Sequence, residues 1–191
     1  MTLAAVPSIE EPPRESGVEL SDGAWGILYD AHFDFVWRSL RRLGVPLSTL
    51  DDAAQEVFLV ALRRHHEFEG RSGIKTWLFG IAWNVARSLA RSPSRREEAL
   101  PDGVADAREL GPQEAASRSE AVRTLYELLD ELDGERRAVF VMSELEEMSA
   151  PEIAEITGTA LNTVYSRLRA ARSDFDAALK RRRARDDWRG R

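Results

Sequence analysis

The apolar residues of this chain recur at steps of three and four, and no stretch alternates as a strand would. That regularity restricts the sequence to an all-helical fold. Tyr29, Phe33, Val36, Leu40 and Leu43 form one stripe on a helix that closes near Gly44 and Pro46. A second helix is expected from about Ser48 to Glu67, with Ala54, Val57, Phe58, Ala61 and Leu62 as its apolar face. Gly70 and Gly73 mark a loop, and a third helix opens near Thr76 with Trp77, Leu78, Ile81, Val85 and Leu89. It has to end before Pro93, because the residue preceding a proline avoids helical geometry. Pro93, Pro101, Gly103, Gly111 and Pro112 then interrupt every period, and this acidic stretch reads as a linker. Helical spacing resumes with Leu125, Leu128, Leu129 and Leu132, then with Val139, Phe140, Met142 and Leu145. Ser149-Ala150-Pro151-Glu152 is a capping box that opens a short helix closed by Gly158. The last helix carries Leu161, Val164, Leu168, Ala171, Phe175 and Leu179.

Composition narrows the function. The chain has 191 residues, 43% of them hydrophobic, enough for one large or two small cores. No apolar run approaches the roughly 18 residues that cross a bilayer, so no membrane insertion is expected. The opening residues carry Glu10, Glu11, Glu15 and Glu19 with Pro7, Pro12 and Pro13; they read as a disordered acidic leader and not as a signal peptide, which makes the cytoplasm the expected location. The chain has no cysteine, which excludes disulfides and thiolate metal sites. The formal net charge is −6, but it is unevenly placed. Arg87, Arg91, Arg95 and Arg96 have no acid among them, and Lys180, Arg181, Arg182, Arg183 and Arg185 follow one another closely. Acids crowd the leader, the linker and the stretch from Glu127 to Glu135. A negative chain with local basic patches binds free DNA poorly unless another protein supplies most of the affinity.

Three constellations carry information about function. Ala154, Gly158 and Val164, four and then six residues apart, supply a small residue at a helix crossing, a residue tolerant of positive φ at the turn, and an apolar seat for the second helix. A helix-turn-helix needs these three, and its second helix would present Asn162, Thr163, Tyr165, Ser166, Arg167 and Arg169 outward to base edges and phosphates. A plain helical hairpin with Gly158 as C-cap has the same pattern. Asp52, Gln55, Glu56 and Leu59 lie opposite the apolar stripe of the second helix, as a docking face or a solvated one. Arg87, Arg91 and Arg95, spaced by four on the third helix, form a basic stripe that is either a solvated face or, with no acids alternating with it, a surface for phosphates, the better reading. His65, His66, Glu67 and Glu69 are the one cluster suggestive of a metal-dependent hydrolase, but adjacent helical residues diverge by about 100°, and the two imidazoles do not converge. Neither metal, cofactor nor catalytic residue is expected.

Taken in order, these pieces resemble the extracytoplasmic-function (ECF) sigma factors of bacterial RNA polymerase, over about residues 25–96 and 120–180. Asp52-Ala53-Ala54-Gln55-Glu56-Val57-Phe58 resembles the family's segment that binds core polymerase. Phe68 to Leu78 resembles the loop and helix that open the promoter and capture a flipped base. Ile81 to Ala86, followed by Arg87 and Arg91, resembles the helix that reads the minus-ten element. Leu132 to Leu168 resembles the fourth region, whose helix-turn-helix reads the minus-thirty-five element. The resemblance implies an all-α chain of two small helical domains, a sigma region 2 bundle and a sigma region 4 helix-turn-helix, joined by a flexible acidic linker. Its layout would be leader 1–22, region 2 at 23–96, linker 97–119, region 4 at 120–180 and basic tail 181–191. It implies Asp52, Gln55, Glu56 and Leu59 for core polymerase. It implies Glu69, Gly70, Arg71, Ser72, Lys75, Trp77, Asn84, Arg87 and Arg91 for minus-ten DNA and melting. The minus-thirty-five set is Asn162, Thr163, Tyr165, Ser166, Arg167 and Arg169. The implied partners are core RNA polymerase, promoter DNA and an anti-sigma protein. Ser88 stands where the family often has an acid, and Tyr165 where a basic residue is common; Ala160 replaces a frequent capping serine, which leaves Thr159 as the expected cap. A stand-alone helix-turn-helix regulator would account for residues 120–180 but not for Asp52 to Phe58 or the Gly70 loop, and an all-helical adaptor that binds only proteins would leave the basic stripe without a role.

Overall fold

The computed structural model describes residues 22–70, 72–91 and 112–189. The leader, Arg71, Arg95 and Arg96, the linker through Gly111 and the last two residues of the tail lie outside the described residues. The elements are α1 (Asp22–Arg42), α2 (Leu50–Arg64), α3 (Ile74–Arg91), α4 (Pro112–Asp130), α5 (Gly134–Phe140), α6 (Ala150–Thr157) and α7 (Leu161–Arg189). No strand occurs among the described residues.

The first unit is a three-helix bundle. Val36 and Leu40 of α1, Leu50, Ala54, Val57 and Phe58 of α2, and Leu78 and Ala82 of α3 meet in one core. Gly44, at φ +95, reverses the chain after α1 while Val45 N–H donates to Leu40 O and Gly44 N–H to Arg41 O, at 3.1 Å each. This pair of bonds satisfies carbonyls that the helix end leaves open. The expected second helix is divided: 3₁₀ turns at Leu47–Thr49 and His65–Glu67 flank α2. Asp51 and Asp52 in its first turn and Arg63 and Arg64 in its last match the helix dipole. α3 stops at Arg91, two residues short of Pro93.

The second unit begins earlier than the sequence pattern suggests, since α4 starts at Pro112, within the expected linker. Asp133 caps α5, accepting from Arg136 N–H at 2.9 Å. A π turn at Val141–Leu145 follows α5, and Glu147 closes it at φ 54. The capping box on α6 is complete: Ser149 Oγ accepts from Glu152 N–H, and Glu152 Oε2 accepts from Ser149 N–H at 2.8 Å. α7 runs for 29 residues, well past Leu179. Leu129, Val139, Met142, Ile153, Val164 and Ala171 form the centre of this unit.

The two units are not held apart. Phe79 and Trp83 of α3 are buried in the core of the second unit, and Gly80 lets α6 approach α3 closely. Arg137 of α5, 6% exposed, reaches the C-terminal end of α1, donating to Arg42 O at 2.5 Å and Arg41 O at 3.2 Å, with Asp130 at 2.6 Å. Arg42 donates to Glu146 at 2.6 Å, and Arg41 stacks over the Tyr126 ring at 4.9 Å.

Candidate nucleic-acid interface

The turn at Gly70 and the start of α3 enclose an open cleft of about 430 Å³. Phe68 and Trp77 lie together along it, ring centres 5.2 Å apart and tilted by 46°. Trp77 is half-buried, packed against the loop rather than standing free as a wedge. Asn84, two turns further along α3, shares the Trp77 face and also lines the cleft. Its Nδ2 donates to Gly80 O at 3.0 Å, which turns Oδ1 outward as an acceptor. Glu69, Gly70 and Ser72 supply the loop wall. Arg64 and Glu67 close one end as an ion pair at 2.5 Å; the hydrogen bond from Arg64 holds the Glu67 carboxyl below the usual carboxylate range.

The cleft thus brings together Glu69, Gly70, Ser72, Trp77 and Asn84 from the expected set. Lys75 does not join them: its ammonium sits 5.7 Å from the Phe35 ring centre, on the α1 side of α3. One residue before Thr76, which does line the cleft, it points about 100° away. Arg87 and Arg91 continue α3 beyond the cleft, both exposed. Phe68, Arg64 and Thr76 are cleft residues outside the expected set. The Arg64–Glu67 spacing of three was their legible signal. A second, more apolar hollow between α2 and α3, lined by Val60, Ile81, Val85 and Leu89, adjoins at Asn84.

Asp52, Gln55, Glu56 and Leu59 of α2 are exposed together, Leu59 by 52%, and Glu56 also lines the hollow between α2 and α3. Glu56 accepts from Arg63 at 3.0 Å.

The helix pair α6–α7 has the expected turn. Gly158 sits in the left-handed region at φ 65; Thr159 N–H donates to Ala154 O at 3.1 Å and Gly158 N–H to Glu155 O at 3.3 Å. Val164 is fully buried, seating α7 on α6. Asn162, Tyr165, Ser166 and Arg169 are exposed, with Thr163 partly so. Two details differ from expectation. Arg167 is turned inward to Glu135 at 3.0 Å, because the α5 carboxylate lies within reach of its long side chain. Thr159 does not cap α7: its hydroxyl meets that of Thr157 at 2.8 Å, while Ala160 O takes the first helical bonds from Thr163 and Val164 N–H.

The fold is thus that of a two-unit helical protein with an open cleft along α3 and a helix-turn-helix at α6–α7. The sequence matches sigma-70 region 2 over residues 28–96 and sigma-70, region 4 over residues 123–175. It is 32% identical to the RNA polymerase sigma factor CnrH of Cupriavidus metallidurans, across 82% of this chain and 86% of that one. It is 30% identical to the RNA polymerase sigma factor YlaC of Bacillus subtilis, across 82% and 92%. Among solved structures, CnrH in complex with the cytosolic domain of CnrY superposes with a TM-score of 0.60 at 28% identity, covering 84% of this chain and 90% of that one. The chain belongs to the ECF sigma factors of the sigma-70 family. Its function is therefore to direct RNA polymerase to promoters. No helix among the described residues is long and apolar enough to cross a membrane.

Proposed function

We propose that this sigma factor divides its work among three surfaces. The exposed Asp52, Gln55, Glu56 and Leu59 face of α2 docks on core polymerase, four exposed side chains on one helix. The cleft between the Gly70 loop and α3 takes a base extruded from the minus-ten strand, while Arg87 and Arg91 hold neighbouring phosphates. The exposed start of α7, with Asn162, Tyr165, Ser166 and Arg169, reads the minus-thirty-five element. The cleft is the observation that carries this reading. Unstacking a base step costs a few kcal/mol, and a base lodged on an aromatic pair recovers about 1–3 kcal/mol. The Phe68–Trp77 pair offers the apolar floor, and Asn84 Oδ1 offers an acceptor for an amino group on a base edge. The chain works as an initiation factor with no active site or cofactor of its own, in the cytoplasm. CnrH, with its bound CnrY domain, supports an anti-sigma protein as a further partner here.

Asn84→Ala is expected to leave binding to core polymerase unchanged and to lower open-complex formation on duplex promoters, with partial recovery on templates carrying a pre-melted bubble. Absence of recovery on the bubble would remove the melting role. Asp52→Ala, Gln55→Ala and Glu56→Ala combined should weaken co-purification with core polymerase at unchanged helix content; unchanged co-purification would remove the docking role.

A further inference from the structure

The start of α7 exposes two large apolar side chains. Leu161 is 40% exposed and Tyr165 54% exposed. Four residues apart on one helix, they are neighbours on the same face and form one apolar patch. Val164 points the other way and is fully buried on α6, so the patch faces away from the core. A single exposed apolar side chain is ordinary on a protein surface. This pair is different in its position: it opens the helix that follows the Gly158 turn, where the second helix of a helix-turn-helix meets base edges.

Several polar groups around the patch are committed within the fold. Ser166 Oγ donates its proton to Thr163 O at 2.9 Å and keeps its lone pairs as acceptors. Arg167 is paired with Glu135 at 3.0 Å. Arg172, two turns past Tyr165 on the same edge of α7, is paired with Glu144 at 2.7 Å. Asn162 and Arg169 stay exposed beside the patch. An advance of 100° per residue sets Leu161 and Tyr165 along one edge of the exposed face and Asn162 with Ser166 along the other. The face therefore offers DNA an apolar edge next to an amide. In the major groove the one apolar group among the four base-pair patterns is the thymine methyl, and an asparagine amide matches the N6 and N7 edge of adenine.

We propose that Leu161 and Tyr165 read thymine methyl groups in the minus-thirty-five element, so that thymine–adenine pairs are what this chain selects there. This deepens the reading of α7 as the recognition helix and rests on it. Cytosine has no methyl at that place in the groove and leaves the patch facing water. One methyl group taken out of water is worth about fourfold in binding, and two are worth about tenfold or more.

The test uses holoenzyme, this chain with core polymerase, on a duplex promoter that the holoenzyme itself selects from a pool randomised over both elements. Deoxyuridine then replaces the thymines of the minus-thirty-five element, first on one strand and then on the other. The exchange removes the methyl groups and leaves base pairing intact. On one strand it should raise the dissociation constant about fourfold for each contacted methyl. At the same positions, 5-methylcytosine should bind about fourfold tighter than cytosine. Leu161→Ala combined with Tyr165→Ala should bind the thymine and deoxyuridine promoters within about twofold of each other, at unchanged helix content. Equal binding of thymine and deoxyuridine by the unmodified chain would overturn the proposal, and so would full methyl sensitivity in the double variant. The deoxyuridine comparison needs no substitution in the protein, so it decides the matter even where the variant folds poorly. A promoter with a scrambled minus-thirty-five segment separates the two readings. If scrambling weakens binding while loss of the methyls does not, α7 still reads the element and the methyl contact is wrong. If scrambling changes nothing, the recognition role of α7 falls, and the methyl contact with it.

Discussion

Replacing Gly158 by alanine isolates the turn that sets α7 against α6. The residue sits at φ 65, ψ 27, and its amide and that of Thr159 supply the two bonds that finish α6. A Cβ built there meets nothing within 4 Å, so the cost is only the local penalty of the left-handed region. That penalty is about 1–2 kcal/mol for an L-residue. Loss of freedom in the unfolded chain returns about 0.4–1 kcal/mol. Gly158→Ala should therefore destabilise by about 1 kcal/mol, or about 2–4 °C in Tm for a chain of this size. Gly158→Asn should lose less than half as much, because asparagine tolerates this conformation. Gly44 provides the contrast. Its φ is +95, and a Cβ would lie 3.3 Å from Nη1 of the buried Arg137 guanidinium. Gly44→Ala adds that collision to the same backbone penalty and should cost at least about twice as much. Urea unfolding followed by helix signal, at unchanged slope, measures all three. A neutral Gly158→Ala, or Asn no better than Ala, would refute the left-handed cap; equal losses at Gly158 and Gly44 would refute the role given to Arg137.

Ser149→Ala removes one half of the capping box on α6 and should cost about 1 kcal/mol by the same urea assay; an unchanged midpoint contradicts the cap. Burial, and then the charge of Lys75, hold His32 below the usual imidazole range. Its neutral form is favoured in the fold, so the unfolded chain takes up the proton first as pH falls below 6.5. The stability is present above that pH and drains away below it; His32→Gln should flatten the decline between about pH 7 and 5, and parallel profiles would contradict this. Arg169→Ala should lower transcription by about 1–3 kcal/mol in a promoter-dependent way, with Arg167→Ala weaker because Glu135 already engages its guanidinium. Run-off assays on a promoter panel decide it, and equal losses contradict the inward placement of Arg167.

Local signals in the sequence anticipated much of this. The stripe from Tyr29 to Leu43 placed α1, Ser149 and Glu152 placed the start of α6, and Gly158 its end, because each is decided within one or two helical turns. The exposed Asp52, Gln55, Glu56 and Leu59 face followed from the stripe it opposes. What escaped was long-range. Arg137 meets α1 at a separation of 95 residues, and no local pattern encodes that. The division of the second helix by 3₁₀ turns and the π turn after Phe140 left no periodic trace either. The packing of the second unit on α3 did have one. Leu78, Ile81 and Ala82 serve the first core, while Phe79 and Trp83 project from another face of the same helix. A helix apolar on two faces needs two partners, and Phe79 and Trp83 were the residues that said so.

The 29-residue span of α7 makes it a rod of about 43 Å, with the DNA-reading end at Leu161 and the far end past Arg185. Arg181 and Arg182 clamp its distal half to Glu131 and Glu127 of α4. Its first half is held as well, since Val164, Leu168 and Ala171 are buried in the core of the second unit. A tilt of about 10° about the clamp, about 30 Å from Leu161, would sweep that end by roughly 5 Å, about one and a half base-pair rises. Under the proposed reading of α7 as the recognition helix, surface charges far from any base therefore contribute to its aim, and ionic strength weakens that contribution.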